Sequence, residues 1–341
     1  MVIGVYVDDI ILAHKGVDLN DFIKTFTGPD GFNAKHLGKL NWFLGMAIDQ
    51  HDNGHISIKQ DLYIKKLVEK FATKRIEKRS YPCKPHTFQK LRPAETDLER
   101  EKASRLPYLQ LIGSLLYLST MTRPDIAYHM SILCSLMHDP TKEAYEAALD
   151  FLMYIHTTSH LHISFTGSRD PPLGVSRDVH PSVMRSSGML AYSDASWNKP
   201  DKLGFNMFGY VVYVYGGPVS FAAKRLKVVV TSSAEAEYAA AANTCKEVMF
   251  VRSLCDFLGI PVAGPSVLAV DNDAAIKIAQ NMGVTARNKH FQEALHYFRH
   301  LCDHQYVLPT FVTTKNQRAD GFTKALDGNT FKVWQKYVVS E

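Results

Sequence analysis

Cysteine is scarce in this chain, and the five that occur are scattered without a C-x-x-C pair. This pattern suggests neither a disulfide framework nor a zinc site, and reduced thiols inside a cell are the default expectation. Apolar runs are also short, and none approaches the roughly 18 residues that a membrane span needs. We find no signal-peptide pattern, internal repeat or low-complexity tract. We therefore expect an intracellular protein that is neither secreted nor bound to a membrane.

The chain also has only a small excess of positive charge, with a formal net charge of +5 over 341 residues. The whole chain therefore gives a weak electrostatic case for nucleic acid. The exception is the stretch from Lys59 to Arg92, where eleven lysines and arginines face three acids. Such a stretch suits a phosphate backbone, with Lys65 and Lys66 as candidate contacts. A solvated helix face is the ordinary explanation of the same charges.

The length of the chain predicts about two domains. Residues 1–60 look β-rich, and a helical stripe follows from Gln60 to Thr73. Two helical segments are predicted, an apolar one at Tyr108–Met137 and another at Lys142–Thr157, and Thr122-Arg123-Pro124-Asp125 interrupts the first, with the proline suited to a helix start. The glycines and prolines of residues 166–187 indicate the main boundary.

Strands and helices alternate in the C-terminal part. Strands are predicted at Met189–Asp194, Phe208–Tyr215, Val219–Ala223, Ser266–Asp271 and Gln305–Val312. Helices are predicted at Ala234–Leu258, Asp273–Asn281, Arg287–Cys302 and from about Gln317 onward. This order indicates a mixed α/β domain.

Near the N-terminus, Tyr6-Val7-Asp8-Asp9 lies between two short apolar runs. The pattern predicts a β-hairpin whose tip carries Asp8 and Asp9, called the acidic hairpin tip below. Adjacent carboxylates can hold a divalent metal near phosphate oxygens. Because only five residues precede the motif, we expect almost no upstream residue to supply the further ligands of a complete site.

Four acids stand where predicted strands end or predicted helices begin: Asp194, Glu237, Asp271 and Asp320. Strand ends at one edge of a sheet and helix starts facing that edge can converge. Converging carboxylates repel one another unless cations neutralise them. Mg²⁺ prefers oxygen ligands, and two such ions can stabilise the attacking and leaving oxygens of a phosphodiester. Each acid alone has an ordinary structural explanation, but the four together predict a metal site.

Glu235 provides a contrast with Glu237. The run Ser232-Ser233-Ala234-Glu235 fits a capping box, in which Ser232 is the N-cap and the Glu235 carboxylate bonds the helix's own backbone. Glu237 is then the acid that is more available for a catalytic role. Asp273 is similarly predicted to be an N-cap or first-turn acid.

Several motifs resemble the ribonuclease H domain of Ty1/copia-type retrotransposon polyproteins. They are Tyr192-Ser-Asp-Ala-Ser-Trp197, Thr231-Ser-Ser-Ala-Glu-Ala-Glu-Tyr238, Val270-Asp-Asn-Asp-Ala-Ala-Ile276, Asn288-Lys-His290, Asn316-Gln-Arg-Ala-Asp320 and Thr323-Lys-Ala-Leu326. Upstream motifs resemble the end of that family's reverse transcriptase and the segment after it: Tyr6-Val-Asp-Asp9, Leu37-Gly38, Phe43-Leu-Gly45, Ile112-Gly-Ser-Leu-Leu-Tyr117 and Thr122-Arg-Pro-Asp-Ile-Ala-Tyr128.

The resemblance implies an α/β fold, with a ribonuclease H-like mixed five-stranded sheet and flanking helices. A partial reverse-transcriptase palm and a helical thumb or connection region would precede it. The implied divisions are the partial palm at 1–80, the thumb or connection region at 81–165, a linker at 166–187, the ribonuclease H-like domain at 188–328 and a C-terminal tail or helix at 329–341.

The resemblance also implies a chemistry. The catalytic metal ligands would be Asp194, Glu237, Asp271 and Asp320, holding two Mg²⁺ ions for which Mn²⁺ can substitute. The substrate would be the RNA strand of an RNA·DNA hybrid, cut to leave 5′-phosphate and 3′-hydroxyl ends. Weaker candidates for phosphate contacts are Ser232, Ser233, Lys224 and Arg225. Further partners would be the upstream reverse-transcriptase and integrase parts of the polyprotein, in a cytoplasmic virus-like particle or the nucleus.

Asp8 and Asp9 match the family's second polymerase metal motif. Its first metal aspartate and its fingers lie upstream in the family, so we expect no DNA synthesis by this chain alone. The chain departs from the family pattern at Leu203–Phe208 and at Phe291–Gln292, which bears on substrate contacts more than on metal binding. His296 and His304 are candidates for a product-release histidine, although surface histidines are the ordinary explanation.

Two alternatives to a hybrid-cleaving ribonuclease stay open. One is a non-catalytic, nucleic-acid-binding remnant of a decayed retroelement. The other is a two-metal nuclease on the same fold that acts on DNA. The presence of all four acids favours retained chemistry.

Overall fold

The computed structural model describes most of the chain, with strands in three sheets and helices packed around them. The described residues are 1–16, 18–72, 77–82, 87–168, 188–197, 206–228, 230–280 and 292–341. No helix in these ranges is both long and apolar enough to cross a membrane.

The N-terminal hairpin forms as predicted. Strands β1 (Val2–Tyr6) and β2 (Asp9–Ala13) pair antiparallel. Between them Val7 takes a φ of 52°, the left-handed conformation that two-residue hairpin turns require. Both acids of the acidic hairpin tip are exposed. Helix α1 (Leu19–Phe26) follows, with Asp18 as its N-cap.

A second, four-stranded sheet is antiparallel throughout. It consists of β3 (Trp42–Phe43), β4 (Met46–Gln50), β5 (Ile56–Lys59) and β6 (Ile163–Phe165), in that spatial order. The predicted helical stripe after β5 becomes helix α2 (Asp61–Phe71). The last strand, β6, arrives only after the whole helical region described next.

That helical region lies between β5 and β6 in the chain. After α2 its helices are α3 (Thr87–Lys90), α4 (Asp97–Ser104), α5 (Tyr108–Met121), α6 (Ala127–Ser135) and α7 (Lys142–Thr157). A short 3₁₀ turn, Pro124–Ile126, separates α5 from α6. The break falls where the sequence predicts it, because proline lacks the N–H that a continuing helix needs.

The third sheet has five strands and is mixed. Its strands are β7 (Met189–Ala195), β8 (Met207–Val214), β9 (Gly217–Arg225), β10 (Ser266–Val270) and β11 (Val307–Phe311). The spatial order is β11-β10-β7-β8-β9. Strand β8 runs antiparallel to both neighbours, whereas β10 runs parallel to β7 and β11. The predicted mixed five-stranded sheet is confirmed.

Helices cover both faces of this sheet. One face packs against α8 (Ser233–Phe257), α9 (Asp273–Gln280) and α10 (Gln292–Asp303). The other packs against α11 (Asp320–Thr323) and α12 (Gly328–Val338). Residues 287–291 of the predicted helix before Cys302 lie outside the described residues.

Alternate residues of the central strand β7 enter two different cores. Met189 and Ala191 pack with α8, as the two-residue period of a strand requires. Leu190 and Tyr192 enter a larger core that also takes in α2, α5, α6 and α7. One face of the five-stranded sheet and the helical region therefore share a core. The domain boundaries drawn from the sequence stay a prediction, and residues 169–187 of the proposed linker lie outside the described part.

A buried ion pair ties the helical region to the C-terminal helix. Arg123 and Asp125 lie 2.8 Å apart with side chains that are almost wholly buried. Arg123 also donates to the carbonyl and hydroxyl of Thr158. Asp125 accepts the Tyr154 hydroxyl and the Gln335 amide, each at 2.9 Å. Because Gln335 belongs to α12, this network crosses from one part of the chain to the other.

Candidate metal centre

Three of the predicted acids meet at one edge of the five-stranded sheet. Asp194 lies near the end of β7, and Asp271 directly follows β10. These strands are parallel, so their carboxyl ends lie at the same edge. Glu237 approaches from the first turns of α8. One carboxylate oxygen from each acid lies within 4.8 Å of the others.

The fourth predicted acid, Asp320, borders this group. It is the first residue of α11, and its carboxyl group interacts with that of Asp194. Lys324, one turn later, places its Nζ 2.8 Å from Asp320 Oδ1. The structure therefore brings all four acids to one place, together with a cation that the sequence interpretation did not assign.

Local donors hold one oxygen of each central acid. The Thr323 hydroxyl donates to Asp194 Oδ2. The Thr314 hydroxyl donates to Asp271 Oδ2 at 3.1 Å. The backbone N–H of Ala195 donates to Glu237 Oε1 at 3.3 Å. Glu237 Oε2 is buried and has no hydrogen-bond partner among the described residues.

The start of α8 explains why Glu237 rather than Glu235 is available. The Ser232 hydroxyl accepts the N–H of Glu235 at 3.2 Å, as an N-cap does. The Glu235 carboxylate accepts the N–H and hydroxyl of Thr231 at 2.7 and 2.8 Å. The Glu235 carboxylate thus bonds local backbone as predicted. The N–H that it accepts belongs to Thr231, one residue before the cap.

Burial raises the pKa of all four acids, and the charge of neighbouring carboxylates raises it further in Asp194, Glu237 and Asp271. Burial, then the charge of Asp320, raises the pKa of Asp194 to about 7. Burial, then the charge of Asp194, raises the pKa of Glu237 to about 10. Burial also raises the pKa of Asp271 and of Asp320. The pKa of Lys324 is raised as well, because the surrounding carboxylates outweigh the lowering effect of its burial.

The donor set fits a hard divalent cation. All the candidate ligands are carboxylate oxygens, which Mg²⁺ and Mn²⁺ prefer. Mg²⁺ binds oxygen at about 2.0–2.1 Å, so opposite ligands of one ion lie about 4 Å apart. One oxygen each of Asp194, Glu237 and Asp271 lies within 4.8 Å of the others, which is compatible with a shared ion. The unpartnered Glu237 Oε2 is an oxygen that a cation would satisfy.

Comparison with known proteins places the chain in a family. It is 30% identical over 253 residues to a putative transposon Ty5-1 protein of Saccharomyces cerevisiae, covering 72% of this chain and 73% of that protein. The chain belongs to the Pol polyprotein family of copia-type retrotransposons. The family expected from the motifs is confirmed.

Plant members of the Pol family align over nearly the whole chain. The Pol polyprotein from transposon TNT 1-94 of Nicotiana tabacum is 28% identical over 99% of this chain. That from transposon RE1 of Arabidopsis thaliana is 31% identical over 96% of it. The chain spans only 24% and 21% of the length of these two Pol polyproteins.

Solved structures with similar folds include LC11-RNase H1 in complex with RNA/DNA hybrid and the prototype foamy virus protease-reverse transcriptase. The first is 16% identical and covers 39% of this Pol chain and 92% of its own, with a TM-score of 0.30. The second is 17% identical and covers 48% of this chain and 21% of its own, also with a TM-score of 0.30.

The N-terminal part of the Pol chain has its own family match. Residues 1–85 match the reverse transcriptase (RNA-dependent DNA polymerase) family. They include the acidic hairpin tip, whose two acids are exposed. Within the described ranges, the one group of three or more metal-ligating side chains is Asp194, Glu237 and Asp271.

The candidate phosphate contacts of the Pol chain lie in three places. Lys224 and Arg225 end β9, where the Lys224 Nζ lies 5.5 Å from the centre of the Tyr210 ring. Ser232 and Ser233 begin α8, and the Ser232 hydroxyl is already engaged as the cap. The remaining pair, Lys65 and Lys66, is exposed on α2. The role of these residues in binding stays a prediction.

The two candidate histidines are both exposed. His304 follows α10, and its Nδ1 lies 2.8 Å from the carbonyl oxygen of His300.

The sequence interpretation missed the supporting residues Thr314, Thr323 and Lys324. A usable signal existed for two of them, because Thr323 and Lys324 follow Asp320 at the three- and four-residue spacing of one helix face.

Proposed function

We propose that this Pol segment is a ribonuclease H, hydrolysing the RNA strand of RNA·DNA hybrids with two divalent metal ions. The observation that carries the proposal is the convergence of Asp194, Glu237 and Asp271. Asp320, beside Asp194, completes the four acids expected from the motifs. A buried group of this kind is costly without a cation, which supports a metal-dependent function.

The ions would supply an activated water and stabilise the leaving oxygen of the phosphodiester. The chain's own residues would hold them. Asp194, the most central acid, is fixed by the Thr323 hydroxyl, and Asp271 by the Thr314 hydroxyl. Holding one oxygen of each acid limits the reorganisation needed at binding. Lys324 offsets part of the negative charge.

The substrate and the wider context are part of the same proposal. The hybrid would be recognised partly through the 2′-hydroxyl groups that distinguish RNA from DNA. The exposed Lys224 lies on β9, two strands from β7 in the sheet, and the exposed Ser233 begins α8, the helix that carries Glu237. Other parts of a Pol polyprotein, including upstream reverse transcriptase and integrase, would be its partners inside the cell, in virus-like particles or the nucleus.

The test is cleavage of a labelled RNA·DNA hybrid by wild type and by Asp271→Asn, with Mg²⁺ and with EDTA. Loss of an outer-shell partner alone costs roughly 10- to 100-fold in activity, so we expect Asp271→Asn to lose more than about 100-fold. The matched control is Asp273→Asn, the same change two residues along, at an exposed acid that pairs with Lys277. It should cleave like wild type.

The possible outcomes separate the alternatives. Equal cleavage by wild type and Asp271→Asn would refute the assigned site. The absence of cleavage by folded wild type would favour a non-catalytic remnant. Cleavage of duplex DNA in preference to the hybrid would favour a DNA nuclease on the same fold.

A further inference from the structure

One buried side chain connects the backbone segments that carry Asp194 and Asp320. Gln317 lies in the connection between β11 and α11 and is 3% exposed. Its Nε2 donates to the carbonyl oxygen of Ser193 at 2.9 Å. Its Oε1 accepts the N–H of Ala319 at 3.1 Å. Ser193 immediately precedes Asp194, and Ala319 immediately precedes Asp320.

This bridge matters because nothing in the sheet ladder fixes Asp320. Asp194 is held by the ladder of β7, the central strand. Asp320 follows a 3₁₀ turn, Thr314–Asn316, and begins a helix of only four residues. A short helix on an irregular connection has few backbone hydrogen bonds of its own to set its position. The planar amide of Gln317 links it to β7 one residue before each acid.

We propose that Gln317 is a positioning residue that sets the spacing of Asp320 and Asp194 and thereby the affinity of the site for divalent metal. The inference deepens the proposed function and rests on it. Gln317 touches no candidate ligand oxygen. It acts through the two backbone segments, as outer-shell hydrogen bonds do at metal sites. An amide is suited to the task because it donates to one segment and accepts from the other.

The matched control for a change at Gln317 is a second glutamine. Gln335 on α12 also makes two side-chain hydrogen bonds, to Asp125 and to Tyr154, but both belong to the buried ion-pair network. Gln317→Met and Gln335→Met therefore remove the same chemical group and the same number of hydrogen bonds. Only the first removes a link between the acids.

The experiment measures Mn²⁺ binding to the full chain by titration calorimetry and by the electron paramagnetic resonance signal of free Mn²⁺. Stability is followed in parallel by thermal unfolding in EDTA. We expect Gln317→Met to weaken Mn²⁺ binding by roughly 10- to 100-fold. Gln335→Met should lower the Tm while leaving the Mn²⁺ affinity within about twofold of wild type. If Gln317→Met does not fold, Gln317→Asn is the second variant. It keeps the amide but places it one methylene short of its partners, and it should also weaken Mn²⁺ binding.

The results distinguish this inference from the proposed function. If folded Gln317→Met or Gln317→Asn binds Mn²⁺ as tightly as wild type, the positioning role is refuted and the metal site stands. Equal weakening in Gln335→Met would also refute it, since a general loss of stability would then explain the effect. If wild type binds no Mn²⁺, both the inference and the proposed function fail.

Discussion

Replacing Asp194 with Asn should stabilise the metal-free protein at pH 8. The side chain is only 5% exposed, and its pKa rises from an ordinary 3.8 to about 7 through burial and the charge of Asp320. At about 1.4 kcal/mol for each tenfold change, ionising Asp194 in the folded protein costs on the order of 4 kcal/mol more than in the unfolded chain. Asn removes that cost, and its carbonyl oxygen can still accept the Thr323 hydroxyl.

The stability gained by Asp194→Asn should be larger at high pH than at low pH. Because the folded-state pKa of Asp194 is raised, the folded protein holds a proton that the unfolded chain releases between about pH 4 and pH 7. The stability associated with this proton is present below the ordinary pKa and is lost as pH rises through the folded-state pKa. Asn does not titrate. The advantage of Asp194→Asn should therefore be about 4 kcal/mol at pH 8 and less than about 2 kcal/mol at pH 5.

Urea unfolding in EDTA at the two pH values measures this effect. Asp273→Asn, at an exposed acid, is the matched control and should change stability little at either pH. Added Mg²⁺ should stabilise wild type by about 2.7 kcal/mol at a hundred times its Kd, and Asp194→Asn much less. If Asp194→Asn were less stable than wild type at pH 8, the raised pKa inferred for Asp194 would be wrong.

Further predictions concern the buried ion pair, two glycines and the acidic hairpin tip. Arg123→Met should lower the free energy of unfolding by about 3–5 kcal/mol, because Asp125 stays buried without its cation; a loss under about 1 kcal/mol in urea unfolding would contradict this. Gly321→Ala should lower the Tm, since its Cβ would lie 2.2 Å from the Trp334 ring. Gly113→Ala, where a Cβ meets open space on α5, should raise it through helix propensity, and equal shifts would contradict the close packing. The full chain should not extend a DNA primer with Mg²⁺ or Mn²⁺, because no described carboxylate group joins the acidic hairpin tip; processive synthesis would refute this.

The parts of the site that could be predicted depend on local rules or on chain order. Ser232 and Glu235 follow the spacing of helix caps, so their use on local backbone was visible in the sequence. Asp194 and Asp271 end strands, and strand ends at one edge converge when the strands run parallel, as β7 and β10 do. The convergence of these two acids therefore follows from the order of the elements.

The supporting contacts could not be predicted because their partners are distant in the chain. The Thr323 hydroxyl reaches Asp194 across 129 residues, and Thr314 reaches Asp271 across 43. A hydroxyl at such a position has no periodicity that separates it from a solvated one. The same limit applies to β6, whose pairing with β5 depends on the path of the whole helical region between them.

The shared core has a consequence for how such elements can recombine. A crossover within residues 166–187 would join the sheet face of one parent, with Leu190 and Tyr192, to the helices of another. These surfaces pack in one core, where a change in volume of even one methylene group affects stability. The segments before and after 166–187 should therefore be inherited together. A chimaera that exchanges only residues 188–341 needs compensating changes on α5, α6 and α7.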